Sequence, residues 1–220
     1  MLRLRIPDIL YNMWNKIKSP DFKNAAESSG GIKDALIFIW ELVKVIIISL
    51  AIILPIRYFL IQPFYVKGAS MQPNFYDKDY LIIDEISYRL RSPERGEVVI
   101  FHYPRDRSQY FIKRIVGLPG EQVIIKNGQV LISNNQGENF ELVEPYVTLA
   151  TATSGNIDIS LGPIEYFLLG DNRDASLDSR SFGAVKISDF IGRAWIRGWP
   201  FDRWAYFSNS PTVTILPITP

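Results

Sequence analysis

The sequence predicts a mainly β fold, an antiparallel β-sandwich or irregular barrel preceded by one N-terminal transmembrane helix. Two observations lead to this prediction. An uncharged apolar run extends from Val45 to Ile56, and after Pro63 short runs rich in β-branched and aromatic residues alternate with turn signals. Because no helix-length amphipathic segment separates those runs, a layered α/β fold is not expected.

The apolar run crosses a bilayer only if it extends toward the N-terminus. A crossing takes about 20 helical residues, and the span 36–57 supplies them while including Glu41 and Lys44. These residues are three apart, so they can pair on one face of a helix. The alternative is a buried core helix, which an apolar surface on all sides disfavours.

The residues around this span favour an uncleaved signal anchor. Bulky Arg57, Tyr58 and Phe59 follow the run, where a secretory signal would carry small residues and a cleavage site. Positive charges concentrate ahead of it, at Arg3, Arg5, Lys16, Lys18, Lys23 and Lys33. The positive-inside rule then places segment 1–35 in the cytoplasm and the bulk of the chain on the extracytoplasmic side.

The β-rich runs define an extracytoplasmic domain over residues 62–208, followed by a C-terminal tail at 209–220. The predicted strands are Tyr80–Ile86, Glu97–Tyr103, Tyr110–Val116, Gln122–Ile125, Gln129–Ile132, Tyr166–Leu169 and Ile191–Trp199. Asn127 and Gly128 form a two-residue hairpin signal. Residues 121–165 include a variable, polar surface excursion.

Composition excludes several classes of function. The chain has no cysteine, so disulfides, thiolate catalysis and iron–sulfur clusters are excluded. With His102 as its one histidine, we expect no metal and no cofactor. The 24 basic residues against 23 acidic ones give no argument for nucleic acid. His102 lies in a strand pattern and is interpreted as structural or exposed, not as a catalytic base.

Three segments concentrate groups that are able to do chemistry. The turn from Gly68 to Pro73 exposes the hydroxyl of Ser70, with small neighbours that leave backbone N–H groups free. In a strand, Lys113 shares its face with Phe111 and Ile115. The segment Gly170–Arg180 is dense in polar groups. Taken singly, these are also consistent with an ordinary turn serine, an edge-strand lysine and a self-satisfied polar loop.

In chain order, with an anchor ahead of them, these segments resemble the type I signal peptidases (leader peptidases). The family's nucleophile box is matched from Gly68 to Pro73, and its Gly-Asp/Glu-Val-Val box from Arg95 to Val99. The lysine box is matched from Lys113 to Gly120, and the last box from Gly170 to Gly183. The resemblance covers about residues 36–200.

The resemblance implies a membrane-bound serine endopeptidase in which Ser70 is the nucleophile and Lys113 its general base. It implies that Ser176 holds the lysine amine. The residues implied for oxyanion binding and support are Gly68, Ala69, Ser176, Asp178 and Arg180, and those implied for substrate binding are Met71 and Pro73. The implied partners are the signal peptides of exported preproteins, cut after small residues of A-x-A type, and the lipid bilayer.

The chain departs from the family pattern near the nucleophile. Some members carry a hydroxyl at the position of Gly68, so backbone donors, including the N–H of Ser70, have more to do here. Asn74 and Phe75 stand where the family usually has Thr and Leu, and Asp77-Lys78-Asp79 replaces the usual Gly-Asp.

The proposed chemistry demands an uncharged lysine. An ordinary lysine pKa of about 10.4 leaves roughly one amine in 2,500 neutral at pH 7. Burial among apolar groups lowers that pKa, whereas a nearby carboxylate such as Asp178 raises it. We therefore predict that Arg180 pairs with Asp178, and that Lys113 has a pKa of about 7–8.

Two other readings stay open. A self-cleaving repressor-type Ser-Lys protease shares the chemistry but expects a helix-turn-helix domain in place of the membrane span. A catalytically silent, membrane-tethered binding module shares the fold. The C-terminal aromatic residues fit either a membrane interface or the core; they are Trp195, Trp199, Phe201, Trp204, Tyr206 and Phe207.

Overall fold

The computed structural model describes residues 31–59, 62–134, 136–147, 152–207 and 214–217. The chain divides into two compact units, Met1–Ile52 and Ile53–Pro220. Most of the predicted cytoplasmic segment 1–35 lies outside the described residues.

The first helix, α1 (Ile32–Phe59), contains the predicted span. Its stretch Ile32–Leu54 is 23 residues long, has a mean hydropathy of 2.6 and is not buried. At 1.5 Å per residue such a helix is about 35 Å long, enough to cross a hydrocarbon core of about 30 Å. Lys44 Nζ lies 2.5 Å from Glu41 Oε1, so the predicted ion pair is present. By length and composition, α1 fits a single membrane span.

In the rest of the described chain, most regular elements are strands. The strands are β1 (Gln62–Tyr65), β2 (Tyr80–Asp84), β3 (Val98–Tyr103), β4 (Asp106–Gly117), β5 (Gln122–Lys126), β6 (Gln129–Ser133), β7 (Asn139–Val143), β8 (Ile157–Ser160), β9 (Glu165–Leu169), β10 (Val185–Lys186), β11 (Phe190–Trp199), β12 (Ala205–Tyr206) and β13 (Thr214–Pro217). Two short helices, α2 (Ser87–Leu90) and α3 (Ser179–Phe182), join them. The predicted mainly β class is confirmed.

Two antiparallel sheets organise the described strands. The larger has the order β1-β2-β11-β3-β4-β9-β10, with β12 beside β11, and the smaller has the order β13-β7-β6-β5-β8. Strand β4 lies between β3 and β9, so that Lys113 is opposite Val99 and Arg114 is opposite Leu169. This pairing sets the loop that follows β9 beside the lysine box.

The smaller sheet accounts for most of the predicted excursion 121–165. Strands β5 and β6 are joined at Asn127 and Gly128, whose φ angles of 52° and 84° are those of the predicted hairpin turn. Strands β7 and β8 belong to the same sheet, whose apolar side packs against Val116, Phe167 and Leu169 of β4 and β9. Part of the predicted tail 209–220 also belongs here, because β13 pairs with β7.

The C-terminal aromatic residues divide between surface and interior. Those that expose half or more of their surface are Trp199, Phe201, Trp204 and Tyr206. Phe207 packs instead against the core cluster beneath residues 66–83, and its ring lies 5.0 Å from that of Phe75. The six residues as a set therefore fit neither a purely interfacial nor a purely core location.

Candidate active site

Ser70 lies in a loop that leaves β1 and is closed by short-range hydrogen bonds. The N–H of Val66 donates to the carbonyl of Asp79 (2.9 Å), and the N–H of Phe75 donates to that of Met71 (2.8 Å). Gly68 has a φ of +90°, which favours glycine, and its N–H donates to Asp77 Oδ1 at 2.9 Å. We call residues 66–79 the nucleophile loop.

Lys113 reaches the nucleophile loop from β4. Its Nζ lies 2.8 Å from Ser70 Oγ and 2.9 Å from the carbonyl oxygen of Ile112. The residue is only 3% exposed, and its amine lies 5.4 Å from the centre of the Phe111 ring. The two predicted residues, distant in sequence, are therefore in direct contact.

The surroundings of Lys113 favour the neutral amine. Burial lowers its pKa to about 8, and the carboxylates of Asp178 and Asp171 oppose that shift without cancelling it. At a pKa of about 8, roughly one amine in ten is neutral at pH 7. Such an amine is able to accept the proton of a bound hydroxyl.

The predicted pair of Asp178 and Arg180 is present. Arg180 Nε lies 2.8 Å from Asp178 Oδ1, and its Nη2 lies 2.9 Å from Oδ2. The N–H of Gly170 also donates to Asp178, at 3.1 Å. Although burial opposes it, this hydrogen bonding and the charge of Arg180 lower the pKa of Asp178, which stays a carboxylate occupied by the guanidinium.

Ser176 lies close to the dyad but does not hold the amine. Its Oγ is buried and makes no hydrogen bond within the described part of the chain. It lies near enough to Asp178 to contribute to the lowered pKa of that carboxyl. A β-carbon on Gly170 would come within 2.1 Å of Ser176 Oγ and 2.6 Å of the Ser70 carbonyl oxygen, so this close packing requires glycine.

A backbone donor at Ser70 is available for an oxyanion. Among the described residues, no acceptor takes the N–H of Ser70. The side of Gly68 is open, because nothing lies within 4 Å of the place a β-carbon would take. Ala69 contributes differently: its carbonyl accepts from the N–H of Gln72 at 3.2 Å and fixes the turn.

A cleft of about 630 Å³ opens beside the dyad. Ser70 and Lys113 line it together with mainly apolar side chains from β1, β3 and β4. Met71 and Pro73, expected to bind substrate, are not in its lining. Met71 is 1% exposed because its side chain packs into the core beneath the loop, and Pro73 lies on the surface. Met71 therefore has a packing role in this structure, and its contact with substrate stays a prediction.

His102 takes no part in the dyad. Its Nδ1 lies 2.8 Å from the carbonyl oxygen of Arg107, and its ring lies 4.9 Å from that of Tyr110. In the described residues, no group of three or more His, Asp or Glu side chains is placed to hold a metal ion.

Other polar contacts around the dyad were not predicted from the sequence. Arg114 binds both carboxylate oxygens of Asp171, at 2.8 and 2.6 Å. The N–H of Asn172 donates to the carbonyl of Ser70 at 3.0 Å, and its side-chain amide donates to that of Ala69 at 3.1 Å. The density of polar residues in Gly170–Arg180 was a signal for these contacts, but it did not say which partners they take.

A serine hydroxyl bonded to a buried amine of lowered pKa, beside an open cleft on a β scaffold, is an arrangement suited to nucleophilic acyl transfer by a serine hydrolase. The unoccupied N–H of Ser70, beside the hydroxyl, supplies a donor of the kind that acyl transfer requires.

Comparisons with known proteins agree with this class. Residues 39–199 match the family model of signal peptidase, peptidase S26. A probable signal peptidase I-2 of Synechocystis is 35% identical over 82% of this chain and 82% of its own length. A signal peptidase I of Leptolyngbya laminosa is 34% identical over 78% of this chain and 85% of its own. The chain therefore belongs to the signal peptidase family and is a peptidase.

A solved structure was also found among the similar proteins. It is a signal peptidase I from Enterococcus faecalis V583, which has a TM-score of 0.40 and 29% identity and covers 47% of this chain and 97% of that one.

Proposed function

We propose that the chain removes signal peptides from exported preproteins, with Ser70 as nucleophile and Lys113 as general base. The observation that carries the proposal is the 2.8 Å contact between Lys113 Nζ and Ser70 Oγ, made by an amine whose pKa is lowered to about 8. Membership of the signal peptidase family supports the substrate.

The geometry supports a two-step hydrolysis. Neutral Lys113 takes the proton of Ser70, and Ser70 Oγ bonds to the substrate carbonyl carbon. The tetrahedral oxyanion accepts a hydrogen bond from the free N–H of Ser70. The protonated amine then gives its proton to the leaving nitrogen, and an acyl-enzyme remains. Lys113 then deprotonates a water molecule, which attacks the ester carbon. As the ester bond breaks, the protonated amine returns the proton to Ser70 Oγ, and the new carboxyl end is released.

The cleft is suited to apolar side chains. Its wall includes Val66, Ile100 and Ile112, which favour apolar groups over charged ones. We propose cleavage after small residues of A-x-A type. The helix α1 fits a membrane anchor, and the charges ahead of it support a cytoplasmic N-terminus with the β domain on the outer side. The bilayer is then the second partner.

Cleavage of a preprotein tests the proposal directly. The full chain, solubilised in detergent, is incubated with a preprotein that carries alanine at the first and third positions before the bond. We expect one product, cut after the alanine, and none from a Ser70→Ala variant. A matched preprotein with leucine at both positions tests the specificity and should resist cleavage.

The pH dependence tests the base. Because Lys113 acts as the neutral amine, kcat/KM should rise with pH and level off above a midpoint near 8. A midpoint near 6.5, the ordinary value for histidine, would assign the base elsewhere. If the intact chain does not cleave the preprotein, the result would favour the alternative, a membrane-tethered binding module.

A further inference from the structure

Asn74, near the end of the nucleophile loop, is bound to three separate parts of the chain. Its side-chain amide donates to the carbonyl of Tyr146 at 2.8 Å and to Asp171 Oδ2 at 2.9 Å. Its own carbonyl accepts from Arg197 Nη1 at 2.8 Å. Tyr146 lies between β7 and β8, Asp171 follows β9, and Arg197 belongs to β11.

Both side-chain acceptors belong to the group that surrounds Arg114. Asp171 binds the Arg114 guanidinium through both oxygens, and the Tyr146 ring lies 4.0 Å from it. Arg114 directly follows Lys113 on β4, with its side chain on the other face. The amide of Asn74 therefore fastens the nucleophile loop to the residues that fix the strand of the base.

The nucleophile itself is attached to the same polar loop one residue further on. Asn172 donates to the carbonyls of Ser70 and Ala69 at 3.0 and 3.1 Å. The nucleophile loop is thus fixed at two points, residues 70 and 74, by the consecutive residues Asp171 and Asn172. Rotation of the loop about the first point is opposed by the second.

We propose that Asn74 is a positioning residue that keeps the Ser70 hydroxyl within hydrogen-bonding distance of the Lys113 amine. This inference rests on the proposed function of that pair. Asn74, which departs from the family pattern, would then have a role in catalysis. The segment between β7 and β8, through the carbonyl of Tyr146, would contribute to that role.

The contacts require an amide at this position. Threonine offers one hydroxyl donor on a shorter side chain and serves a single acceptor, while aspartate has the shape of asparagine but no donor when ionised. In an Asn74→Asp variant the new carboxylate faces two acceptors, the Tyr146 carbonyl and Asp171. The Asp171 carboxylate already raises the pKa of Lys113, so a second negative charge beside it raises that pKa further.

The charged groups that act on Lys113 and those that surround Asn74 overlap at Asp171. Asp178 and Asp171 act on Lys113, and each is paired with an arginine, Arg180 or Arg114. Around Asn74 itself the charges are those of Asp171 and Arg114, and that of Arg197, which also pairs with Asp79.

The test compares Asn74→Asp and Asn74→Thr with the wild type. Asn139→Asp serves as the matched control, because it adds the same charge at an exposed position of β7. The detergent-solubilised full chain is measured for kcat, KM, the pH profile of kcat/KM and thermal unfolding. For Asn74→Asp we expect kcat to fall about tenfold or more with little change in KM, and the acid limb to move to higher pH. Asn74→Thr should lose less kcat and keep the limb, and Asn139→Asp should match the wild type.

Each outcome decides the matter. A folded Asn74→Asp variant with wild-type kcat and an unmoved acid limb overturns the inference, as does a variant that only melts earlier and keeps its kcat. If Asn74→Asp fails to fold, Asn74→Thr decides: a lower kcat at constant KM supports positioning, and wild-type kcat overturns it. An inactive wild type overturns the proposed function as well, whereas an active wild type with indifferent Asn74 variants overturns this inference alone.

Discussion

Two neighbouring residues of β4, Lys113 and Arg114, are buried cations that the fold treats in opposite ways. They are 3% and 4% exposed, respectively, and their side chains leave the strand on opposite faces. Arg114 receives a full set of acceptors: both oxygens of Asp171 and the carbonyl of Gly96 at 2.8 Å. Lys113 receives the hydroxyl of Ser70 and one backbone carbonyl.

The difference lies in the partners and not in the depth of burial. An isolated charge is costly in a protein interior, so a buried group either finds a counter-ion or gives up its charge. Arginine does not lose its proton in proteins, and its flat fork suits a carboxylate. A buried lysine instead shifts its pKa and loses its proton more easily. The Asp178 carboxylate, which acts on Lys113, is already bound by Arg180. On one face of the strand, Arg114 stays charged and stabilises the fold. On the other face, Lys113 is partly neutral and is able to accept a proton.

The largest expected effect comes from replacing Lys113 with a cation that cannot lose its proton. In Lys113→Arg we expect kcat/KM to fall by about 10⁴-fold, because the guanidinium cannot accept the Ser70 proton. Preprotein cleavage by the solubilised full chain measures it, with Arg114→Lys as the matched exchange on the other face. Turnover by Lys113→Arg within tenfold of the wild type would remove Lys113 from the role of base.

The next effect removes the cation from the Arg114 face. Arg114→Met leaves the buried Asp171 carboxylate without its counter-ion, so the free energy of unfolding should fall by about 3–5 kcal/mol. Urea unfolding of the solubilised full chain measures the loss. Adding Asp171→Leu removes the stranded charge and should restore part of the stability. A single variant within about 1 kcal/mol of the wild type would show that the pair contributes little.

The sequence predicted some strands well and missed others. Strands with continuous runs of buried apolar residues, such as β3 and β4, were predicted to within four residues at each end. Strands β7 and β8 were missed because each is only four or five residues long, and the segment around them is rich in polar and turn residues. Strand β13 was missed because a short run near the end of the chain becomes a strand only by pairing with β7, which is distant in sequence.

In the site, local patterns located the chemistry but not its support. The turn around Ser70 and the apolar flanks of Lys113 are properties of short segments, and the family pattern joined them. The pair of Arg114 with Asp171 spans 57 residues, and the bond from Asn74 to Asp171 spans 97. Such contacts depend on how β4 and β9 bring their ends together, which spacing along the chain does not state. Ser176 is the opposite case, because the family pattern implied a contact with the amine, whereas no hydrogen bond joins the two among the described residues.

The smallest expected effect is a gain in stability. The folded pKa of Lys113 is about 8 against an ordinary 10.5, so below pH 8 the folded state bears the full penalty for charging this amine, about 3 kcal/mol. Lys113→Met removes that penalty and loses one hydrogen bond worth about 1 kcal/mol, so it should be more stable by about 2 kcal/mol at pH 7. As pH rises from 8 to 10.5 the amine becomes neutral in the unfolded chain too, and the advantage should disappear. Urea unfolding at pH 7 and pH 10.5 measures both values, and Lys126→Met, an exposed lysine of β5, is the control that should change neither. A Lys113→Met variant no more stable than the wild type at pH 7 would mean that the amine is not desolvated, and the contrast with Arg114 would lose its physical basis.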